Sequence, residues 1–188
     1  MIHIPHVPFY FLRHGQTQWN KDHKAMGSQD ILLNDQGMRQ ALDAQGVVKN
    51  EPIATIVSSP LLRARKTAQI LQEAVSAPIV DVPELQEVCW GEKEGQPFTD
   101  FLCWIRAWKG GGQIKHGEAY ADFLVRVKLG LKKALHHQGP VLIVSHGGVY
   151  CAIQDILGLA ASDLGHCELV FHAPPAHSGH PWRVTLCQ

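Results

Sequence analysis

Apolar runs of strand length alternating with helix-length segments predict a layered α/β fold. Three runs carry most of the weight: Val7–Leu12, Ile53–Val57 and Val141–Val144 are largely apolar and read as short buried strands. Each breaks at once into a polar turn, with Arg13-His14-Gly15, Ser58-Ser59-Pro60 and Ser145-His146-Gly147 in the three places. A helical segment follows later each time, which is the order of a sheet flanked by helices.

The elements follow in order. After the first strand, residues 20–34 form a loop expected to lie over its polar end. Asp35 is placed to cap a helix that runs to about Lys49. Pro52 precedes the strand Ile53–Val57, and Ser59 and Pro60 read as the cap and first-turn proline of a helix reaching about Val75. Pro78 opens a brief strand, Ile79–Val82, and residues 84–97 form a loop containing Glu and Gly. A small helix over Phe98–Trp108 is closed by Gly110-Gly111-Gly112. The segment Glu118–His137 lines up Phe123, Val127, Leu131 and Leu135 on one face of a long amphipathic helix, ended by Gly139-Pro140. The strand Val141–Val144 leads to a helix at Gly148–Leu157, and Cys167–His172 and Trp182–Cys187 read as two terminal strands around a loop of Pro, His and Gly. With 188 residues and no internal repeat, the chain is expected to be a single domain over 1–188 with a substantial core. Residues 96–117 read as a short lid-like insertion.

Composition narrows the function by exclusion. The 17 basic and 17 acidic residues balance to a formal net charge of zero, which is not the electrostatic footprint of a nucleic-acid binder. No apolar run approaches the ~20 residues of a membrane helix, and no basic segment with a long apolar stretch marks a signal peptide. Cys89, Cys103, Cys151, Cys167 and Cys187 are odd in number and lack a Cys-x-x-Cys pair, so reduced thiols in a cytoplasmic protein are expected. Of the 12 histidines, only His14 and His146 stand at strand ends in informative company. His3, His6, His136, His137, His177 and His180 read as surface or loop residues, and no metal-ligand spacing stands out.

The strand ends carry the chemistry. Strand C-termini and the helix N-termini after them are where α/β folds place ligands, and here all three bring Arg or His. A neutral imidazole is a good nucleophile, and its unperturbed pKa near ~6.5 leaves much of it neutral at physiological pH. The fork of Arg13 beside His14 matches phosphate oxygens. Together they suggest a histidine that attacks phosphorus. Taken alone, Arg63 reads equally as a phosphate clamp or a solvated first-turn arginine, while Arg65 and Lys66 read as solvated.

Five blocks in order complete the picture: Arg13-His14-Gly15 with Thr17, Trp19 and Asn20; Ser59-Pro60-Leu61-Leu62-Arg63-Ala64 with Thr67 and Ala68; Leu85-Gln86-Glu87 with Gly91, Glu94 and Gly95; Gly117-Glu118; and Ser145-His146-Gly147-Gly148. In these blocks the chain resembles the histidine phosphatase superfamily, in its phosphoglycerate-mutase-like branch. The resemblance implies a three-layer α/β sandwich, with a mostly parallel central sheet and helices on both faces. It implies His14 as a nucleophile that becomes a phosphohistidine. Arg13 and Arg63 would clamp the phosphoryl oxygens, and His146 would stand beside them at a helix N-terminus. Glu87 is implied as the acid, later the base for water, with Glu84, Glu92 and Glu94 as nearby competitors.

Asn20, Thr17, Gln16 and Gly147 complete the implied phosphate- and substrate-binding set, although Thr17 and Gln16 read as well as turn caps. Glu118 reads either as a site residue or as a carboxylate complementing the helix dipole. Trp19 reads as packing; Trp90, Trp104 and Trp108 either pack or line a leaving-group pocket. No cofactor and no metal is expected, because Arg and His supply the positive charge.

Mutases of this family carry a longer insertion before the second histidine, and a hydroxyl residue where this chain has Met26. The resemblance therefore favours hydrolysis of a small phosphorylated metabolite, such as a sugar phosphate, phosphoglycerate or ribazole phosphate. The alternatives are mutase-type phosphoryl transfer, or a protein-directed or non-catalytic phosphate-binding member. Nucleic acid and membrane are not expected partners, and the sequence does not fix the oligomeric state.

Overall fold

The computed structural model describes residues 2–98, 101–177 and 180–188. Its centre is a six-stranded sheet built from β1 (Phe9–Arg13), β2 (Thr55–Ser58), β3 (Ile79–Asp81), β4 (Val141–Ser145), β5 (Leu169–Ala173) and β6 (Arg183–Leu186), in the order β3-β2-β4-β1-β5-β6. The first four in that row are parallel. β5 runs antiparallel to β1, and β6 antiparallel to β5. The apolar runs decide this layout: β2 and β4 are buried along their whole length and take central places, whereas every residue of β6 is exposed at the edge.

Alternation along the strands sorts the core into two layers. Phe9, Phe11, Val57, Val141, Ile143 and Val170 pack on one face against Phe123, Val127 and Leu131 of α5 (Tyr120–Ala134) and Val149 and Ile153 of α6 (Gly147–Leu157). Tyr10, Leu12, Ile56, Leu142, Val144 and Leu169 pack on the other against Ala44 and Val48 of α2 (Asp35–Val48) and Ala64, Ala68 and Leu71 of α3 (Leu62–Val75). The result is the expected three-layer α/β sandwich. Each fully buried Phe, Leu, Ile or Val contributes roughly 1.5–3 kcal/mol.

The element ends shift where a polar group finds a better use. α2 is capped by Asn34, whose Oδ1 accepts from Gly37 N at 2.8 Å, so Asp35 is its first residue. α3 begins at Leu62, later than expected, and its N-terminus is satisfied from outside: Asp30 Oδ1 accepts from Leu62 N at 2.6 Å. Ser59 is thereby freed from capping duty. A short helix α1 (Gln18–Lys21) occupies the start of the expected loop, and two 3-10 turns, Pro83–Leu85 and Gly91–Lys93, occupy the 84–97 stretch. The fourth helix, α4, spans Phe101–Lys109; its expected start at Phe98 runs into residues 99–100, which lie outside those described. The five cysteines are unpaired. No helix among the described residues is long and apolar enough to cross a membrane.

The sheet order sets up the site. β2, β4 and β1 are adjacent and parallel, so their C-terminal ends meet at one edge. His14 N donates to Ser145 O at 2.9 Å, and Ser59 N donates to Val144 O at 3.0 Å.

Candidate active site

His14 leaves β1 and is almost fully buried, at 3% exposure. Its Nδ1 lies 2.7 Å from Gly15 O, an acceptor, so the neutral ring carries its proton on Nδ1 and its lone pair on Nε2. Arg63 Nε donates to that Nε2 at 3.2 Å. Burial first, then the charges of Arg63 and Arg13, hold the His14 pKa well below the usual histidine range. The imidazole is therefore neutral at neutral pH, the form a nucleophile needs. Gly15 owes its identity to close main-chain packing, not to a ligand: a Cβ there would meet Gly37 O at 2.4 Å.

Arg63 enters from the first turn of α3 and is buried, at 1% exposure, so the solvated reading of it falls away. Besides His14, its guanidinium donates to Gln29 O at 2.7 Å and Gly27 O at 2.8 Å. Burial lowers its pKa to about 10 against the opposing charges of Glu87, Asp30 and Glu94. The loop that supplies these carbonyls is fixed by Glu94, which accepts from Ser28 N and Oγ, both at 2.8 Å, from Gln29 Nε2 at 2.6 Å and from Trp90 N at 3.1 Å. Gly27, at φ 54°, sits so close that a Cβ would fall 2.3 Å from Glu94 Oε1.

His146 caps α6 with its ring 5.2 Å from that of His14. Its Nε2 is 2.7 Å from Ser59 Oγ, which also accepts from Leu61 N at 3.3 Å. Among the described residues the buried hydroxyl has no other acceptor for its own hydrogen, so it donates to Nε2, which leaves the His146 proton on Nδ1. That Nδ1 is buried and has no partner. Burial and then Arg63 push its pKa well down. Arg13 donates through Nη1 to Leu164 O at 3.1 Å, while its Nε is likewise buried without a partner. The guanidinium stands 3.6 Å from where Gly147 would carry a Cβ.

Glu87 follows the Pro83–Leu85 turn and reaches the N-terminus of α6. Its Oε2 accepts from Gly148 N at 2.9 Å and its Oε1 from Val88 N at 3.0 Å. A Cβ on Gly148 would sit 2.3 Å from Oε1, so the second glycine of the His-Gly-Gly run makes room for this carboxyl. Glu87 is the leading opposing charge on both Arg13 and Arg63.

Residues 9–173 match the histidine phosphatase superfamily (branch 1) over most of the chain. The chain belongs to that superfamily. Within it, the chain is 32% identical over 163 residues to a probable phosphoglycerate mutase GpmB of Proteus mirabilis, covering 81% of this chain and 75% of that one. It is 34% identical over 151 residues to an uncharacterized phosphatase PhoE of Bacillus subtilis, covering 78% and 76%. Among solved structures, a mycobacterial glucosyl-3-phosphoglycerate phosphatase complexed with VO3 superposes with a TM-score of 0.79 at 25% identity, covering 95% of this chain and 96% of that one. A phosphoglycerate mutase from Thermus thermophilus gives a TM-score of 0.74 at 25% identity, covering 97% and 99%. Membership and phosphatase-named relatives set the enzyme class, a phosphomonoester hydrolase.

In this histidine phosphatase, several expected binding residues are engaged with their own turn. Thr17 and Asn20 form a capping box on α1: Thr17 Oγ1 accepts from Asn20 N at 3.2 Å, and Asn20 Oδ1 accepts from Thr17 N at 3.0 Å. Gln16 Oε1 accepts from Asn34 Nδ2 at 3.0 Å. Trp90 and Trp108 are buried and packed on each other with ring centroids 4.6 Å apart.

Sequence reasoning passed over Arg126. From α5 it donates to Glu84 O at 3.0 Å and Gln86 O at 2.9 Å, so it holds the turn that presents Glu87. Its other edge forms a bidentate pair with Glu118, at 2.8 and 2.6 Å, which gives Glu118 a structural partner. The signal for it was slight: one arginine between Val125 and Val127 on an amphipathic helix.

Buried neutral histidines make the fold acid-sensitive. His166 and His172 are both held at about 4, and His14 and His146 well below their usual value, in each case chiefly by burial. The unfolded chain binds protons near pH ~6.5 while the folded chain refuses them. Below that pH the unfolded state holds more protons, so stability falls as pH falls, down to the folded-state values. Each such group steepens the loss by up to ~1.4 kcal/mol per pH unit. Melting temperature is expected to drop markedly between pH 7 and about pH 5; a flat profile over that span would contradict the burial of these rings.

Proposed function

We propose that the chain hydrolyses a small-molecule phosphomonoester in two steps, through a phosphohistidine on His14. The observation that supports this best is the neutral His14, with Nδ1 pinned by Gly15 O and the lone pair of Nε2 meeting the buried guanidinium of Arg63. Two further orphans fit the same ligand: Arg13 Nε and, by the proton argument above, His146 Nδ1 are buried donors lacking acceptors. An oxyanion supplies acceptors.

In the first step Nε2 attacks phosphorus, the bond to the alcohol oxygen breaks, and protonated Glu87 gives that oxygen its proton. In the second, the Glu87 carboxylate takes a proton from water, the water oxygen bonds phosphorus, and the N–P bond breaks. Inorganic phosphate leaves and His14 returns neutral. Arg13 and Arg63 hold the equatorial oxygens in a site sheltered from water, where fixed charges act strongly.

A screen of metabolite phosphates and an artificial aryl phosphate tests the reading. Release of inorganic phosphate is expected; tight binding without turnover would instead make the chain a phosphate-binding member. The mutase name of the GpmB relative motivates a second reading. On 3-phosphoglycerate, a positional isomer in place of inorganic phosphate would establish it. Because arginines supply the positive charge, excess EDTA is expected to leave the rate within about a factor of two, since no step draws on metal catalysis. Loss on chelation that Mg²⁺ or Zn²⁺ restores would contradict this.

A further inference from the structure

A third imidazole stands at the site and belongs to none of the strand-end blocks. The ring of His166 lies 5.8 Å from that of His14, tilted by 57°. Its Nε2 is buried and has no hydrogen-bond partner. The position is well defined, because Arg13 grips the chain on both sides of it: Arg13 Nη1 donates to Leu164 O at 3.1 Å, and Arg13 O accepts from Cys167 N at 2.8 Å. Topology brings it there. β5 is antiparallel to β1, so the segment entering β5 arrives at the edge where β1 ends.

The buried orphans around His14 are thus Arg13 Nε, His146 Nδ1 and His166 Nε2. An arginine only donates, so Arg13 needs an acceptor that the protein does not supply. A neutral His166 protonated on Nε2 would share that need. Burial, and then the charge of Arg13, hold the His166 ring at about 4, so it is neutral at neutral pH, and its tautomer protonated on Nε2 is the form that donates to an anion.

We propose that His166 contacts substrate, donating from Nε2 to an oxygen of the bound phosphoryl group beside Arg13. This rests on the hydrolase reading above and adds a residue to its phosphoryl pocket.

Orthovanadate, as a phosphoryl mimic, and an aryl phosphate test it. Wild type is expected to turn over the ester and to be inhibited by vanadate. His166→Ala is expected to weaken vanadate inhibition and raise KM by about 10- to 100-fold, the cost of one hydrogen bond to a charged group. His166→Gln, whose amide nitrogen reaches the Nε2 position, is expected to recover part of both. Unchanged vanadate affinity in His166→Ala, with an active wild type, overturns the role of His166 and leaves the hydrolase reading standing. Vanadate binding that depends on His166 in a wild type without turnover does the reverse. Absence of both vanadate binding and turnover overturns both, and turnover without vanadate binding overturns the role of His166 alone. The NMR signals of the His166 ring in wild type give a reading that needs no variant: a shift of its Nε2 resonance on adding vanadate is expected, and none would overturn the contact.

Discussion

His14→Ala is expected to abolish turnover, with a loss on the order of 10⁴–10⁶-fold, the scale seen when a covalent nucleophile is removed. The neighbouring groups are poorly placed to take over. Arg13 and Arg63 are cationic, and the His146 ring is centred 5.2 Å from that of His14, so it does not reach the same in-line position on phosphorus. Removing His14 leaves Arg63 still bound to Gln29 O and Gly27 O, so the oxyanion cradle persists. Vanadate binding is therefore expected to survive far better than catalysis. Phosphate release from an aryl phosphate, measured beside a melting curve, checks both. Near wild-type activity in a folded variant would remove His14 from the nucleophile's role.

Glu87→Gln carries the second large effect. Loss of general acid help typically costs ~10²–10⁴ in rate. The loss is expected to be greatest for sugar-alcohol leaving groups, which need a proton to depart. It is expected to shrink for an activated aryl phosphate, whose phenolate leaves with less help. The second step still needs a base for water, so the variant is expected to accumulate phosphoenzyme on the activated substrate. The substitution also has a structural cost. Val88 N and Gly148 N each donate to one carboxyl oxygen, and an amide accepts only one of them well. That mismatch costs about 1–3 kcal/mol, which a melting curve reveals. Equal losses on both substrates with no phosphoenzyme would take the acid role from Glu87. Of the other carboxyls, Glu118 is bound bidentately by Arg126.

The layered fold and the strand-end cluster were legible because both are local in sequence. Buried strands read as apolar runs, and the break to Arg13-His14 or Ser145-His146 marks where such a strand reaches the sheet edge. What was not legible depends on distant partners. Arg63 carries no mark of its burial, which comes from the Gly27 and Gln29 carbonyls and the Glu94 clamp behind them. The start of α3 was misread because Asp30, some thirty residues upstream, caps it in place of Ser59. Arg126 looks like any charge on an amphipathic helix until the 84–87 turn packs on it. His166 was invisible for a topological reason: it sits before a strand, and only the antiparallel pairing of β5 with β1 carries it to the strand ends. The need for Gly15 was equally hidden, because the Cβ it lacks would meet Gly37 O, a partner outside its own block.

The central claim is that phosphorus bonds to His14 Nε2 during turnover. Wild type and Glu87→Gln are mixed with an aryl phosphate and stopped within the first turnovers in alkaline denaturant, which preserves the N–P bond that acid would hydrolyse. Mass spectrometry of the digested chain then locates the phosphoryl group. It is predicted on the peptide that carries His14, at higher occupancy in Glu87→Gln than in wild type, and absent from His14→Ala. An unmodified His14 peptide during steady phosphate release, or a phosphoryl group on another residue, would contradict the account.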